Sequence, residues 1–224
     1  MMNTQIEDYF NCLCNSVLKK MESEIGEISA ESVVETDLSK YVRGFSSDNF
    51  HEYYFQTLNN EEEYFADNQF FRQFKSRYSL QGIDNNFLQN LESKKLEMLT
   101  LVGEDALSEL YFNHFAEAKI KHKNRVVTKN LGSFFAKFVH TFRPKDYCAL
   151  DNPIKNYLGL KGENFFISLM AVSNSYKMWA EKNSGIIDEI RSNFKKLDKN
   201  RFFMHDKISD LKLLDLIFLS KVRQ

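Results

Sequence analysis

Apolar residues recur three and four positions apart along most of the chain, beginning with Ile6, Phe10, Leu13, Val17 and Met21. A helix turns once in about 3.6 residues, so this spacing keeps them on one face. Thr4 with Glu7 three residues later has the arrangement of a capping box, and the pattern predicts a first helix running to about Ile25, broken at Gly26 and Ser29. Further helices are predicted over Ser32–Val42, Asn49–Leu58 and Asn60–Arg77, the last burying Tyr64, Phe65, Phe71 and Phe74. Asp84 is placed to cap a helix carrying Phe87, Leu88, Leu91, Leu96 and Leu99, and Gly103 separates that helix from Glu104–Ile120. Three more are predicted towards the end, over Glu163–Lys182, Gly185–Leu197 and Ser209–Val222. Alternation long enough for a convincing strand is absent, although Arg125–Thr128 suits a short extended piece. The expected fold is all-α, a compact multi-helix globular protein forming a single helical domain over residues 1–224.

Composition sharpens this picture. The 21 Phe and 10 Tyr are too many for surface decoration and supply core material, while only 2 Pro and 8 Gly leave few breaks between helices. Trp179 stands alone and is expected in the core or an interface. Cys12, Cys14 and Cys148 offer no paired framework, which suits a reducing cytoplasm. Two positions on a helix subtend about 200°, so the thiols of Cys12 and Cys14 diverge and no metal site is expected. The acidic residues Glu7 and Asp8 and the lack of a long apolar run argue against a signal peptide, and no segment reaches membrane-spanning length. No Walker-type loop, dinucleotide fingerprint, Gly-x-Ser-x-Gly elbow or His-Glu-x-x-His motif occurs, so no cofactor is expected.

Charge changes the picture most. Residues 1–118 hold 9 Lys+Arg against 21 Asp+Glu, a balance of −12, whereas Lys119–Lys161 holds 10 against 2, a balance of +8. Residues 162–224 hold 11 against 8, so an acidic half (1–118) precedes a basic half (119–224). Such asymmetry points to a polyanionic partner or to one half packing on the other. Lys119, Lys121, Lys123 and Arg125 alternate around His122 and lead into Lys129. They suit either counterion release on nucleic acid or the solvated end of a helix, where cations complement the dipole. In the helix that follows, Phe134, Phe135, Phe138, Val139 and Phe142 form an apolar face, with Lys129, Ser133, Lys137 and His140 on another.

Over residues 130–160 the run Asn130-Leu131-Gly132-Ser133-Phe134-Phe135-Ala136-Lys137, then Arg143-Pro144, Leu150-Asp151-Asn152 and Tyr157-Leu158-Gly159, resembles the helix–hairpin–helix DNA glycosylase superfamily and its degenerate relatives. The resemblance implies that Gly132 belongs to a phosphate-binding hairpin and that Asp151 is the catalytic aspartate. The family's hairpin usually has two glycines, and its bifunctional members place a lysine just after them, where this chain has Phe134. A non-catalytic or degenerate DNA-binding module is therefore expected, and any retained activity would be that of a glycosylase-like hydrolase. Asp151-Asn152-Pro153 is equally an ordinary helix start, with Asp as cap and Pro in the first turn.

The expected function is helical nucleic-acid binding, with DNA ahead of RNA, through Lys121, Lys123, Arg125, Lys129, Gly132, Ser133, Lys137, Arg143 and Lys145. One alternative is a protein–protein interaction subunit that meets its partner through the acidic N-terminal half. A second is a ribonuclease, because Arg201-Phe202-Phe203-Met204-His205 is one residue short of the Arg-x4-His signature of the helical HEPN domains. His51 and His114 lie among aromatic residues and read as packed or solvated. The Asn-, Lys- and Phe-rich composition suits an AT-rich genome and a bacterial defence or mobile-element protein.

Overall fold

A computed structural model describes residues 2–25, 48–66, 68–123, 125–197, 204 and 206–222. The expected helix over Ser32–Val42, the break at Gly26 and Ser29, and the Arg201–His205 pair lie outside the described residues. In chain order the helices are α1 (Met2–Ile25), α2 (Asp48–Thr57), α3 (Glu61–Ala66), α4 (Phe70–Arg77), α5 (Asn85–Ser93), α6 (Lys95–Gly103) and α7 (Leu107–His114). The strands β1 (Ala118–His122) and β2 (Arg125–Lys129) follow, and then α8 (Gly132–Phe142), α9 (Asn152–Tyr157), α10 (Phe165–Lys182), α11 (Ser184–Leu197) and α12 (Asp210–Val222). The all-α expectation holds, with one antiparallel two-stranded hairpin as the only sheet among the described residues.

The chain divides into two compact units, residues 1–48 with 144–224 and residues 49–143. The charge boundary between Ala118 and Lys119 falls inside the second of these. Residues 49–143 contain 12 Lys+Arg and 12 Asp+Glu, which leaves 18 and 19 for the first unit. The acidic and basic stretches of the sequence thus fold together, and neither unit carries a large net charge.

In the first unit α1 packs on α10, and α12 packs on both α9 and α10. The side of α1 that buries is the predicted one, through Leu13, Val17, Met21 and Ile25, but Ile6 is exposed. Because α1 begins at Met2, Thr4 lies within its first turn and does not cap it. Cys12 is exposed and Cys14 buried, the divergence expected of positions two apart on a helix. Small residues let α1 and α10 approach closely, with Ser175 Oγ donating to the Cys14 carbonyl at 3.1 Å. Leu211, Leu213, Leu214, Leu216, Ile217 and Phe218 are all buried, so α12 is enclosed nearly all round. Trp179 on α10 is 1% exposed and belongs to this core.

The second unit is organised around α8. Phe134, Phe135 and Phe138 meet Phe71, Phe74 and Phe115 with ring centroids 5.1–6.3 Å apart, and Tyr64 lies against Phe138 and Phe142. Such pairs add to the burial of each ring, so the cluster acts as one packed body. The predicted single helix over Asn60–Arg77 is two, α3 and α4, and Phe65 on the first of them is 43% exposed. Likewise the helix begun by Asp84 is interrupted at Lys94 to give α5 and α6, leaving Leu96 exposed. His140, expected on a polar face, is fully buried, because the Tyr54 hydroxyl lies 2.8 Å from its Nε2 and satisfies it inside the core.

Candidate nucleic-acid interface

The expectation of a helix running to Ile120 fails at Phe115, which turns inward to join the aromatic cluster. The residues beyond it read with a period of two. Ala118 and Ile120 are buried, while Lys119 and Lys121 between them are exposed. That alternation makes a half-buried strand, and the β-branched run Val126-Val127-Thr128 provides its partner. The alternative of a solvated helix end is thereby corrected: the cations sit on a ribbon, and the extended piece foreseen at Arg125–Thr128 is its second strand.

Register places the side chains. His122 opposite Arg125 closes the hairpin around a two-residue loop, where Lys123 takes the left-handed conformation, φ +45°, that such a turn requires. Lys121 opposes Val126 and Lys119 opposes Thr128, and cross-strand partners share a face. The outward face therefore carries Lys119, Lys121, Val126 and Thr128, with Val126 71% exposed and Lys123 and Arg125 at the tip. Lys119 Nζ donates to Thr128 Oγ1 at 2.7 Å. The side chains of Lys121, Lys123 and Arg125 are exposed and form no ion pair or hydrogen bond among the described residues.

Three contacts hold the ribbon in place. The Lys121 amide donates to Asp84 Oδ2 at 2.5 Å, and Lys129 Nζ donates to the Gly82 carbonyl at 3.2 Å. At its base the Leu131 amide donates to the Phe115 carbonyl at 2.8 Å. Asp84 does two jobs, since its other oxygen, Oδ1, accepts from the amides of Asn86 at 2.8 Å and Phe87 at 3.1 Å as the cap of α5. Burial works to raise the Asp84 carboxyl, but the amides of Lys121, Phe87 and Asn86 together outweigh it and hold the group below its ordinary value. Gly82 has φ +70°, and a side chain there would collide with the Lys129 ammonium that reaches its carbonyl.

The other expected site residues fall elsewhere. Gly132 is the buried first residue of α8, and its amide donates to Asn130 Oδ1 at 2.9 Å. The element before it is the strand β2. Ser133 and Lys137 are half-buried on α8. Arg143 closes that helix, with Nη1 donating to the Val102 carbonyl at 3.3 Å and lying 3.5 Å from Asp105 Oδ1. Lys145 is exposed in the first unit, where it lines a cleft of about 770 Å³ together with Lys177, Arg191, Glu181, Asp206 and Asp210. Charges of both signs meet in that cleft, and Arg191 is committed to Asp210 at 2.6 Å.

Asp151 is the N-cap of α9, its Oδ1 accepting from the Ile154 amide at 3.0 Å, with Pro153 in the first turn. The helix ends on Gly159 at φ +84°, with the Leu160 amide donating to the Lys155 carbonyl at 3.1 Å and the Gly159 amide to that of Asn156 at 3.1 Å. The segment leading into Asp151 is fixed from within: Ala149 donates to Asp215 Oδ2 at 2.6 Å and Cys148 to Ser173 Oγ at 3.0 Å. Burial pushes the Cys148 thiol well up and the Lys212 ammonium down, the latter partly offset by the carboxylates of Asp215 and Asp151. Burial likewise lowers the His114 imidazole, which lies 3.1 Å from Glu97 Oε1 in the second unit.

Among the described residues no group of three His, Cys, Asp or Glu side chains is placed to hold a metal ion, and no helix is long and apolar enough to cross a membrane. Comparison with protein-family models, with curated proteins and with solved structures gives no match. The double role of Asp84 escaped the sequence reading. Its sequence signal, an Asp before a helical run, announces the cap and nothing of the amide that arrives from 37 residues further along the chain.

Proposed function

We propose that the protein binds nucleic acid through the β1–β2 hairpin and performs no chemistry on it. The observation that carries this reading is the set of three exposed cations, Lys121, Lys123 and Arg125, held on a pinned ribbon without a partner of their own among the described residues. A cation so placed exchanges only water and counterions when a phosphate arrives, and the released counterions drive association irrespective of sequence. DNA is the polymer that the helix–hairpin–helix resemblance implies. The non-catalytic reading is supported by the missing second hairpin glycine and by Phe134 in place of the lysine, together with the cap role of Asp151 Oδ1 and the engagement of the Gly132 amide by Asn130.

The test is a salt titration of binding to a labelled DNA strand, followed by fluorescence anisotropy. Replacing Lys121, Lys123 and Arg125 together by Ala should weaken binding and flatten the dependence of log K on log salt by about 2, at roughly 0.7 per phosphate contact on a single strand. Identical affinity and slope in the triple variant would remove the hairpin as the contact.

A further inference from the structure

A second feature of the same unit lies beside the hairpin. The turn before α4 and one side of α5 border a cleft of about 260 Å³, lined by Asn68, Gln69, Arg72, Asn85, Leu88, Gln89 and Glu92. Asn85 and Gln89 stand four positions apart on α5, so both reach the same side of the helix. Four of the lining groups are carboxamides, and those of Asn68, Asn85 and Gln89 each offer a donor pair and an acceptor on one planar group. Leu88, the apolar member of the lining, is 3% exposed and ties this side of α5 to the core.

The charges around the cleft suit an uncharged flat ligand joined to an anionic chain. Glu92 adds little repulsion, because its Oε1 accepts from the Phe71 amide at 2.6 Å and its Oε2 pairs with Lys95 Nζ at 2.6 Å. Arg72 is exposed at the rim, with Nη1 donating to Gln69 Oε1 at 3.3 Å, and its guanidinium plane is available for stacking. The position also matters. Asn85 directly follows Asp84, the residue that receives the Lys121 amide, and α5 packs against β1. The helix that lines the cleft is thereby tied to the ribbon that carries Lys121, Lys123 and Arg125.

We infer that this cleft accepts a single unpaired nucleobase from a strand whose backbone lies on the hairpin, so that the substrate class is single-stranded nucleic acid. Carboxamides complement the pairing edge of a base, and in a duplex that edge is occupied by the complementary strand. The exposed Arg72 guanidinium supplies the stacking that holds an unstacked base. The inference rests on the hairpin reading, since the cations of the ribbon bring the strand to the cleft.

The experiment compares a short labelled DNA strand with a strand of the same length made of abasic residues, at fixed salt, for the wild type, the Asn85→Ala/Gln89→Ala variant and the Lys121→Ala/Lys123→Ala/Arg125→Ala variant. Asn85, Gln89 and the three cations are exposed, so folding should be retained, with circular dichroism as the check. The wild type should prefer the normal strand by about tenfold, the scale of one stacked and hydrogen-bonded base. The Asn85→Ala/Gln89→Ala variant should lose that preference while its affinity for the abasic strand and its salt slope stay unchanged. Equal wild-type affinity for both strands, or equal loss on both in the cleft variant, overturns the cleft while a weakened hairpin variant leaves the hairpin reading standing. Undiminished binding by the hairpin variant overturns the hairpin reading, and the cleft inference with it.

Discussion

The β1–β2 hairpin and α8 are consecutive in the chain and both carry cations, but they dispose of them in opposite ways. In the hairpin a period of two puts Ala118 and Ile120 into the core and leaves Lys119 and Lys121 on the outer face. In α8 eight of eleven residues are buried, so Ser133 and Lys137 emerge only in part and His140 not at all. The period of the element decides whether a basic residue can meet a partner, and local charge density does not. Cations that the sequence groups together from Lys119 to Arg143 therefore separate into those that present charge and those that serve packing.

The largest expected effect lies on the packing side of this contrast. Phe138→Ala should destabilise the protein by about 3–5 kcal/mol in urea unfolding, because the ring is fully buried among Phe71, Phe115 and Tyr64. A loss below about 1 kcal/mol would show that α8 is not the centre of its unit.

An intermediate effect is expected at Asp84, where the two regions are joined. Asp84→Ala removes the cap of α5 and the acceptor of the Lys121 amide, and a cap alone accounts for about 1–2 kcal/mol. The folded carboxyl is held below its ordinary value, so its contribution is present above the unfolded pKa and fades as pH falls through that value towards the folded one. Wild-type stability should therefore lose an increment on acidification that Asp84→Asn lacks, and amide exchange at Lys121 should quicken in Asp84→Ala. Parallel acid profiles for wild type and Asp84→Asn would disconnect the carboxylate from the ribbon.

The smallest change in stability should come from the hairpin surface. The Lys121→Ala/Lys123→Ala/Arg125→Ala variant should unfold within about 0.5 kcal/mol of the wild type, since the three side chains have no intramolecular partner among the described residues. A loss comparable to that of Phe138→Ala would mean that these cations hold the fold and are not kept for a ligand.

Much of the helical framework was legible because its signals are local. The apolar spacing in α1 and the starts of α5 and α9 at Asp84 and Asp151 are read within a few residues. The interruptions at residues 68–69 and at Lys94 were not legible, because neither contains the Gly or Pro that normally marks a break. The hairpin was half visible. Five alternating residues are too few to outweigh the helical pattern before them, and what fixes them as a strand is pairing with residues 125–129 and the distant carboxylate of Asp84. His140 was misplaced for the same reason, since Tyr54, its partner, lies 86 residues earlier. The cleft beside the hairpin had no sequence signal at all, because its carboxamides come from two elements that only the fold brings together.

Trp179 is the chain's one indole and lies in the core of the first unit, while residues 49–143 contain none. Emission excited in the indole band therefore observes that unit alone, and the aromatic cluster around α8, for all its rings, is dark at that wavelength. Ellipticity at the helical minimum sums over both units. Recorded on one sample, the two signals form a built-in pair of probes: coincident melting curves would mark a single cooperative transition, and displaced ones would resolve the units without a label or a truncation.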